Sequence, residues 1–186
     1  QLKGVAGDLG KSIFEYNYAK RTADGIRSKL AEERISIARD LRAAFASPAQ
    51  ADEFLRRSRE VSDRMGGIQG ELVDLEKRNA QIGVETAGIT SLKDPRVAQA
   101  AEEVRLNGAR KVELLSELAT AESLERSFQL EHKAALDRIA GIPSLKDKLS
   151  SNLHNYRQAG AFESRIATEL RLAQNAFRVK AGFLTQ

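Results

Sequence analysis

The stretch LERSFQLEHKAALDRIAGIPSLKDKLSSNLHNYRQAGAF, Leu124 to Phe162, decides the fold. Large apolar side chains recur every three or four positions before its centre, at Leu124, Phe128, Ala135 and Ile139. They recur again after it, at Leu145, Leu149, Leu153 and Tyr156. Each series is one apolar stripe on a helix, and Gly141-Ile142-Pro143 folds the second helix back on the first. A helical hairpin of this length cannot bury its stripes alone, so a second hairpin must cover it.

The first half of the chain supplies that hairpin. The first helix is expected over residues 2–46. Its stripe begins at Leu2, Val5, Leu9, Ile13 and Tyr16 and continues through Ile26, Leu30, Ile37, Leu41 and Phe45. Gly4, Gly7 and Gly10 weaken its opening turns by about 1 kcal/mol each relative to alanine. Ser47-Pro48-Ala49-Gln50 then reads as a cap, a first helical position and a capping-box partner. The second helix runs from Pro48 to about Ile82. Phe54, Val61, Met65, Ile68, Leu72, Leu75 and Ile82 form a clean heptad interrupted by Gly66-Gly67, a weak point or a place of close helix contact. Residues 83–94 form the linker. Asp94 caps a third helix, with Ser91 and Asp94 as a rival capping pair. That helix is expected over Pro95 to Ala140, with Val97, Val104, Val112, Leu115, Leu118, Leu124, Phe128 and Ile139 inward. Ser144, with Asp147 three residues on, opens a fourth helix reaching about Leu184, with Leu149, Leu153, Tyr156, Ile166, Leu170, Ala173 and Phe177 on its stripe. The two hairpins echo one another: Pro48 and Pro143 are 95 residues apart, and Phe54 aligns with Leu149 and Val61 with Tyr156 at that offset.

These readings give an all-α fold: one elongated, antiparallel up-down-up-down four-helix bundle with long helices, built as hairpin 1–82, linker 83–94 and hairpin 95–186. Both chain ends then lie at one pole and the two turns at the other. Composition agrees, with 30% charged residues, 5% aromatics and three prolines in 186 residues. No run of eighteen apolar residues occurs. The chain opens on Gln1 rather than Met, and reads as a segment excised from a longer protein. Zero cysteines exclude disulfides and thiol chemistry. Two histidines, with no cysteine, argue against a zinc site, and neither phosphate-loop nor dinucleotide fingerprints occur. No catalytic residues, metal or cofactor are expected. The net charge of +4 is a mild excess with acids and bases interleaved, including around Arg56, Arg57 and Arg59. That pattern argues against nucleic acid and leaves open either an anionic ligand or a solvated exterior.

A ligand site inside a bundle is built from inward polar side chains on facing helices. Arg34, Ser58, His132 and Asn152 interrupt or adjoin apolar stripes. All four lie about 14 to 20 Å from the turn end by the rise per residue, so they read as one layer for a small anion, with Arg34 as a carboxylate fork. The alternative is that Arg34 snorkels to water and the others bond one another or the backbone. Asn17, Asn79, Asn107, Arg110 and Asn175 form a second polar layer, for register or for binding.

Glu122, Arg126 to Phe128 and Leu130, followed about 25 residues later by Asn155-Tyr156-Arg157 and Phe162, resemble the sensor regions of methyl-accepting chemotaxis proteins, in particular the helical bimodular type. The stretch ERISIARDLRAAFASPAQADEFL is similar, more loosely, to the other half of that pattern. Leu130 stands two residues after Phe128, where the family has Leu directly after Phe, and Phe162 follows Tyr156 by six residues, where about four is usual. The resemblance implies an extracytoplasmic, periplasmic domain between two transmembrane helices, a homodimer, small organic-acid ligands and displacement of the fourth helix as the signal. No ligand residue carries over by motif. The competing reading is a cytoplasmic structural helical protein, a membrane-binding bundle of the BAR kind or an assembly factor.

Overall fold

The computed structural model describes the backbone of residues 2–184 and the side chains of residue 7 and residues 9–182. The described chain is all-helical, with five helices and no strand: α1 (Leu2–Arg42), α2 (Pro48–Thr86), α3 (Pro95–Glu131), α4 (Lys133–Ala140) and α5 (Pro143–Leu184). No helix among the described residues is long and apolar enough to cross a membrane.

Local chemistry places the ends. The Ser47 hydroxyl accepts from the Gln50 backbone N–H at 3.3 Å, and Pro48 takes the first helical position. The Asp94 carboxylate accepts from the Arg96 backbone N–H at 2.9 Å, so Asp94 caps α3. Ser91, its rival, instead holds the preceding turn, accepting from the Lys93 N–H. Several expected boundaries shift. α1 ends at Arg42 rather than 46, and α2 continues to Thr86, so the first four residues of the expected linker 83–94 are helical. α5 begins at Pro143, so Ser144 lies within its first turn. The helix expected to run unbroken from Pro95 to Ala140 is interrupted at His132, whose φ of −110° and ψ of 25° leave helical geometry. The ring of His132 sits 5.0 to 5.6 Å from those of Phe45, Phe54 and Phe128, and this packing accompanies the break.

α5 is the organising element. It packs extensively against both α2 and α1, whereas α1 and α2 touch each other little. It runs antiparallel to α1: Arg27 meets Glu163, and further along α1 Leu30 meets Asn152. It runs parallel to α2: Arg59 meets Tyr156, Gly67 meets Ser164 and Asp74 meets Arg165. The sequence separations of those pairs are 97, 97 and 91 residues, so the echo between the hairpins corresponds to two helices lying side by side nearly in register.

Glycine allows that contact. A Cβ on Gly66 would fall on the Arg157 carbonyl, with the Arg157 Cα 2.9 Å away. A Cβ on Gly70 would stand 2.7 Å from the Ala161 oxygen, and one on Gly160 would strike the Asp63 carbonyl. The two backbones touch, and the Ser164 hydroxyl donates to the Gly67 carbonyl at 2.5 Å. The Gly66-Gly67 interruption of the heptad is thus a site of close approach.

At the turn pole one apolar core draws on all five helices: Ile37 and Leu41, Phe54 and Leu55, Phe128, Ile139, and Leu145 and Leu149, with Phe45 from the α1–α2 turn. A smaller cluster of Ile68, Leu75, Leu114 and Leu172 lies further along. The heptad of α2 points inward, with Phe54, Met65, Ile68, Leu75 and Ile82 buried.

Two other stripes face differently from expectation. In the first half of α1, Ile13 and Ile26 are exposed and the alanines Ala19 and Ala23 are buried instead, while the later stripe positions Leu30, Ile37, Leu41 and Phe45 are buried as expected. Leu2 and Val5 have side chains outside the described residues. In α3, Val104, Val112, Leu115 and Leu124 are exposed, while Glu103, Asn107, Leu114, Ala121 and Phe128 are buried. The reason is polar pairing across to α2. Arg78 donates to Glu103 at 2.7 Å, Asn107 to Asn79 at 2.9 Å and Arg110 to Glu71 at 2.9 Å. These contacts hold α3 turned, with Val104, Val112, Leu115 and Leu124 outward, while Phe128 and Ile139 of the expected stripe stay inward.

Gly66→Ala should therefore destabilise the protein by about 3 kcal/mol or prevent folding, the cost of forcing a methyl into a closed backbone contact. Gly108→Ala, where a Cβ meets nothing within 4 Å, should instead gain up to about 1 kcal/mol. Thermal melts of both variants check this, and equal shifts would contradict the crossing.

Candidate functional site

A groove of about 480 Å³ opens between α2, α3, α4 and α5 near the turn pole. Phe54 and Val61 on α2, Phe128 on α3, Leu136 and Ile139 on α4, and Leu149 and Leu153 on α5 make it apolar. Its polar lining comes from Ser58 and Ser62, from Glu125 and Gln129, and from Lys146, Ser150, His154 and Arg157. On α5 the spacing of Lys146, Ser150, His154 and Arg157 is that of one helical face.

Arg157 is the group best placed to recognise an anion. Its guanidinium lies 4.0 Å from Glu125 and 3.8 Å from the Met65 sulfur, both loose contacts. Lys146 and Arg157 face a single acid, Glu125, so the lining is basic. Behind the groove, Phe54 stacks on Phe128 at 5.2 Å, and the Arg57 guanidinium covers Phe128 at 5.4 Å. Tyr156 is buried beside it, its hydroxyl accepting from Arg59 at 3.1 Å. Aromatic packing and the α2–α5 contact hold these walls. The arrangement suits a small molecule with an apolar body and an acidic end.

The four residues of the first expected layer do not converge on this groove; only Ser58 lines it. Arg34 is exposed on α1. His132 packs among the three phenylalanines. Asn152 is 1% exposed and donates to the Leu30 carbonyl at 3.4 Å and to Glu33 at 3.2 Å, a tie between α5 and α1. The basic residue that α1 does turn inward is Arg27. It forms a two-pronged pair with Asp63, at 2.8 and 2.9 Å, and bonds Glu163, thereby joining α1, α2 and α5. Burial alone would lower the Arg27 pKa, but the two carboxylates outweigh it and hold the guanidinium above its ordinary value. Ala19, Ala23 and Leu30 at helical spacing mark the face on which Arg27 lies. Reading alanine as a stripe residue would have found it.

The second expected layer is partly assembled. Asn79 bonds Asn107 between α2 and α3. Arg110 grips Glu71 through two bonds of 2.9 Å and reaches Glu113 at 3.0 Å. Asn17 is exposed on α1, and Asn175 lines a separate groove between α3 and α5. Glu71, unremarked in the sequence, is the centre of this layer. It is 7% exposed and is also bonded by Arg171 of α5. Burial pushes its carboxyl upward, but Arg110 and Arg171 together hold it below the usual glutamate range.

Among the described residues no group of three histidine, cysteine or acidic side chains is arranged to hold a metal ion. Because the Glu71 carboxyl is depressed in the folded state, its stabilisation is present above the unfolded glutamate value of about 4.3 and is lost as pH falls through the lower folded value. Glu71→Gln should flatten that acid limb and cost about 2 kcal/mol at neutral pH, below a fully buried pair because both arginines reach water. Urea melts from pH 7 to pH 3 check both effects.

No family model matches the chain, and neither a curated protein nor a solved structure is found that matches it.

Proposed function

We propose that this chain is a ligand-sensing helical domain, the extracytoplasmic part of a membrane-anchored chemoreceptor or related sensor. In this reading it is an up-down-up-down four-helix bundle, with α3 and α4 as successive parts of the third rod. The ligand is a small anionic molecule with an apolar body. It lies in the groove against Phe54, Phe128 and Leu149 with its carboxylate on Arg157, assisted by Lys146. One observation carries the reading: a basic-edged apolar groove sits at the turn pole and is walled by α5. α5 then runs unbroken away from the groove, packed along α1 and α2. An occupant that draws α5 toward α4 biases a rod about 60 Å long at 1.5 Å per residue. The domain is taken to act as a homodimer, as the resemblance implies.

Calorimetric titration with aromatic and branched monocarboxylates, such as phenylacetate and 4-methylpentanoate, tests this. Binding should weaken about tenfold or more in Arg157→Ala, the size of one charge-assisted hydrogen bond. It should be unaffected in Arg34→Ala. Absence of carboxylate binding, or an Arg157→Ala variant that binds as before, would refute the site.

A further inference from the structure

The two most exposed large apolar side chains among the described residues lie at one connection, between α2 and α3. Val84, in the last turn of α2, is 78% exposed, and Leu92, shortly before α3, is 90% exposed. The connection has a closed shape. The Ile89 N–H donates to the Thr86 carbonyl at 3.0 Å, and the Asp94 N–H donates to the Ser91 carbonyl at 3.1 Å. Both apolar side chains are therefore held outward by an ordered turn, and nothing in the described chain covers them.

The connection lies level with the end of α5. α2 and α5 run parallel, and their pairs Asp74–Arg165 and Gly67–Ser164 are 91 and 97 residues apart, so Thr86 stands level with residues 177–183. α5 ends at Leu184. The carboxylates nearest this pole are held by arginines of the same chain: Glu85 and Glu103 by Arg78, Asp94 by Arg96 and Glu102 by Arg105. Lys93, Arg178 and Lys180 make no ion pair among the described residues, which leaves a positive surplus around the two apolar side chains.

Two aliphatic side chains fall far short of the roughly 800 Å² per partner that a stable protein interface buries, and a second copy would bring the same three cations. A bilayer surface asks for less. It takes single apolar side chains into the boundary between headgroups and acyl chains, and its anionic headgroups attract lysine and arginine. We propose that the α2–α3 connection docks on an anionic bilayer surface, with Leu92 and Val84 dipping between the headgroups and Lys93, Arg178 and Lys180 meeting lipid phosphates. The proposal rests on the chemoreceptor reading, which places a bilayer beyond the end of α5.

The chain has no cysteine, so a single label can be placed at will. An environment-sensitive dye is attached to Leu92→Cys, to Val84→Cys and, as a control of matched exposure near the turn pole, to Ile35→Cys, where the native side chain is 76% exposed. Each labelled chain is tethered by an N-terminal polyhistidine tag to vesicles carrying a nickel-chelating lipid, in phosphatidylcholine with or without phosphatidylglycerol. On the phosphatidylglycerol vesicles the dyes at positions 92 and 84 should shift to the blue and the dye at 35 should not. The shift should fade without phosphatidylglycerol and in about 1 M salt, where charges are screened within about 3 Å. In the untagged chain, Leu92→Ser should weaken co-sedimentation with the anionic vesicles about tenfold or more, the loss of one buried leucine, and should leave carboxylate titration unchanged. A dye at 92 that stays in water, an equal shift at 35, or a shift at 92 that follows protein concentration without vesicles, the mark of a second copy, would overturn the proposal. If carboxylates still bind when the dye at 92 stays in water, the docking surface fails and the receptor reading stands. A shifted dye without carboxylate binding counts against the groove alone.

Discussion

The closed backbone contact between α2 and α5 is the constraint from which the remaining arrangement follows. Gly66, Gly70 and Gly160 remove the side chains that would keep two helices at ordinary spacing. With α2 and α5 in contact, α1 is left to pack mainly on α5, and α3 mainly on α2. Neither outer helix needs a broad apolar face. Away from the turn pole, where Ile37, Leu41 and Phe128 enter the common core, α1 meets α5 through alanines and the Arg27–Glu163 bond, and α3 meets α2 through Glu103, Asn107, Arg110 and Leu114.

That division shows what was legible in the chain. Helix class, the starts at Pro48 and Pro95 and the capping residues Ser47 and Asp94 follow from local chemistry, which acts within a few residues. The inward face of α2 was legible because its heptad is unbroken. The faces of the first half of α1 and of α3 were not. In that half the buried residues of α1 are Ala19 and Ala23, which a search for large apolar side chains passes over, whereas Leu30, Ile37 and Leu41 further along are buried as the stripe predicts. In α3 the apolar stripe is real, but the ion pairs from α2 select the other face, and such pairs are visible only once both helices are placed. His132 shows the same limit: its position in the helical period was read correctly, and its role as a ring among three phenylalanines was set by side chains up to 87 residues away.

The groove at the turn pole was out of reach for a related reason. Lys146, Ser150, His154 and Arg157 lie beside the stripe of α5, on a face that reads as solvated. They come to line one groove because the chain breaks at His132 and α4 closes one side. The expected layer of Arg34, Ser58, His132 and Asn152 assumed four equivalent helices around one axis. Displacing α5 into contact with α2 sends those positions to different surroundings.

The charges between α2 and α3 are held in duplicate. Glu71 is claimed by Arg110 of α3 and also by Arg171 of α5, and Arg78 by Glu103 of α3 and also by Glu85 of its own helix. If α3 swings away, Glu71 and Arg78 each keep a counter-ion, while Glu103 and Arg110 pass into water. Separation therefore strands no charge in the interior, the penalty that ordinarily keeps such seams shut. What then holds α3 in place is its apolar side, with Leu114 in the cluster it shares with α2 and α5 and Phe128 in the core at the turn pole.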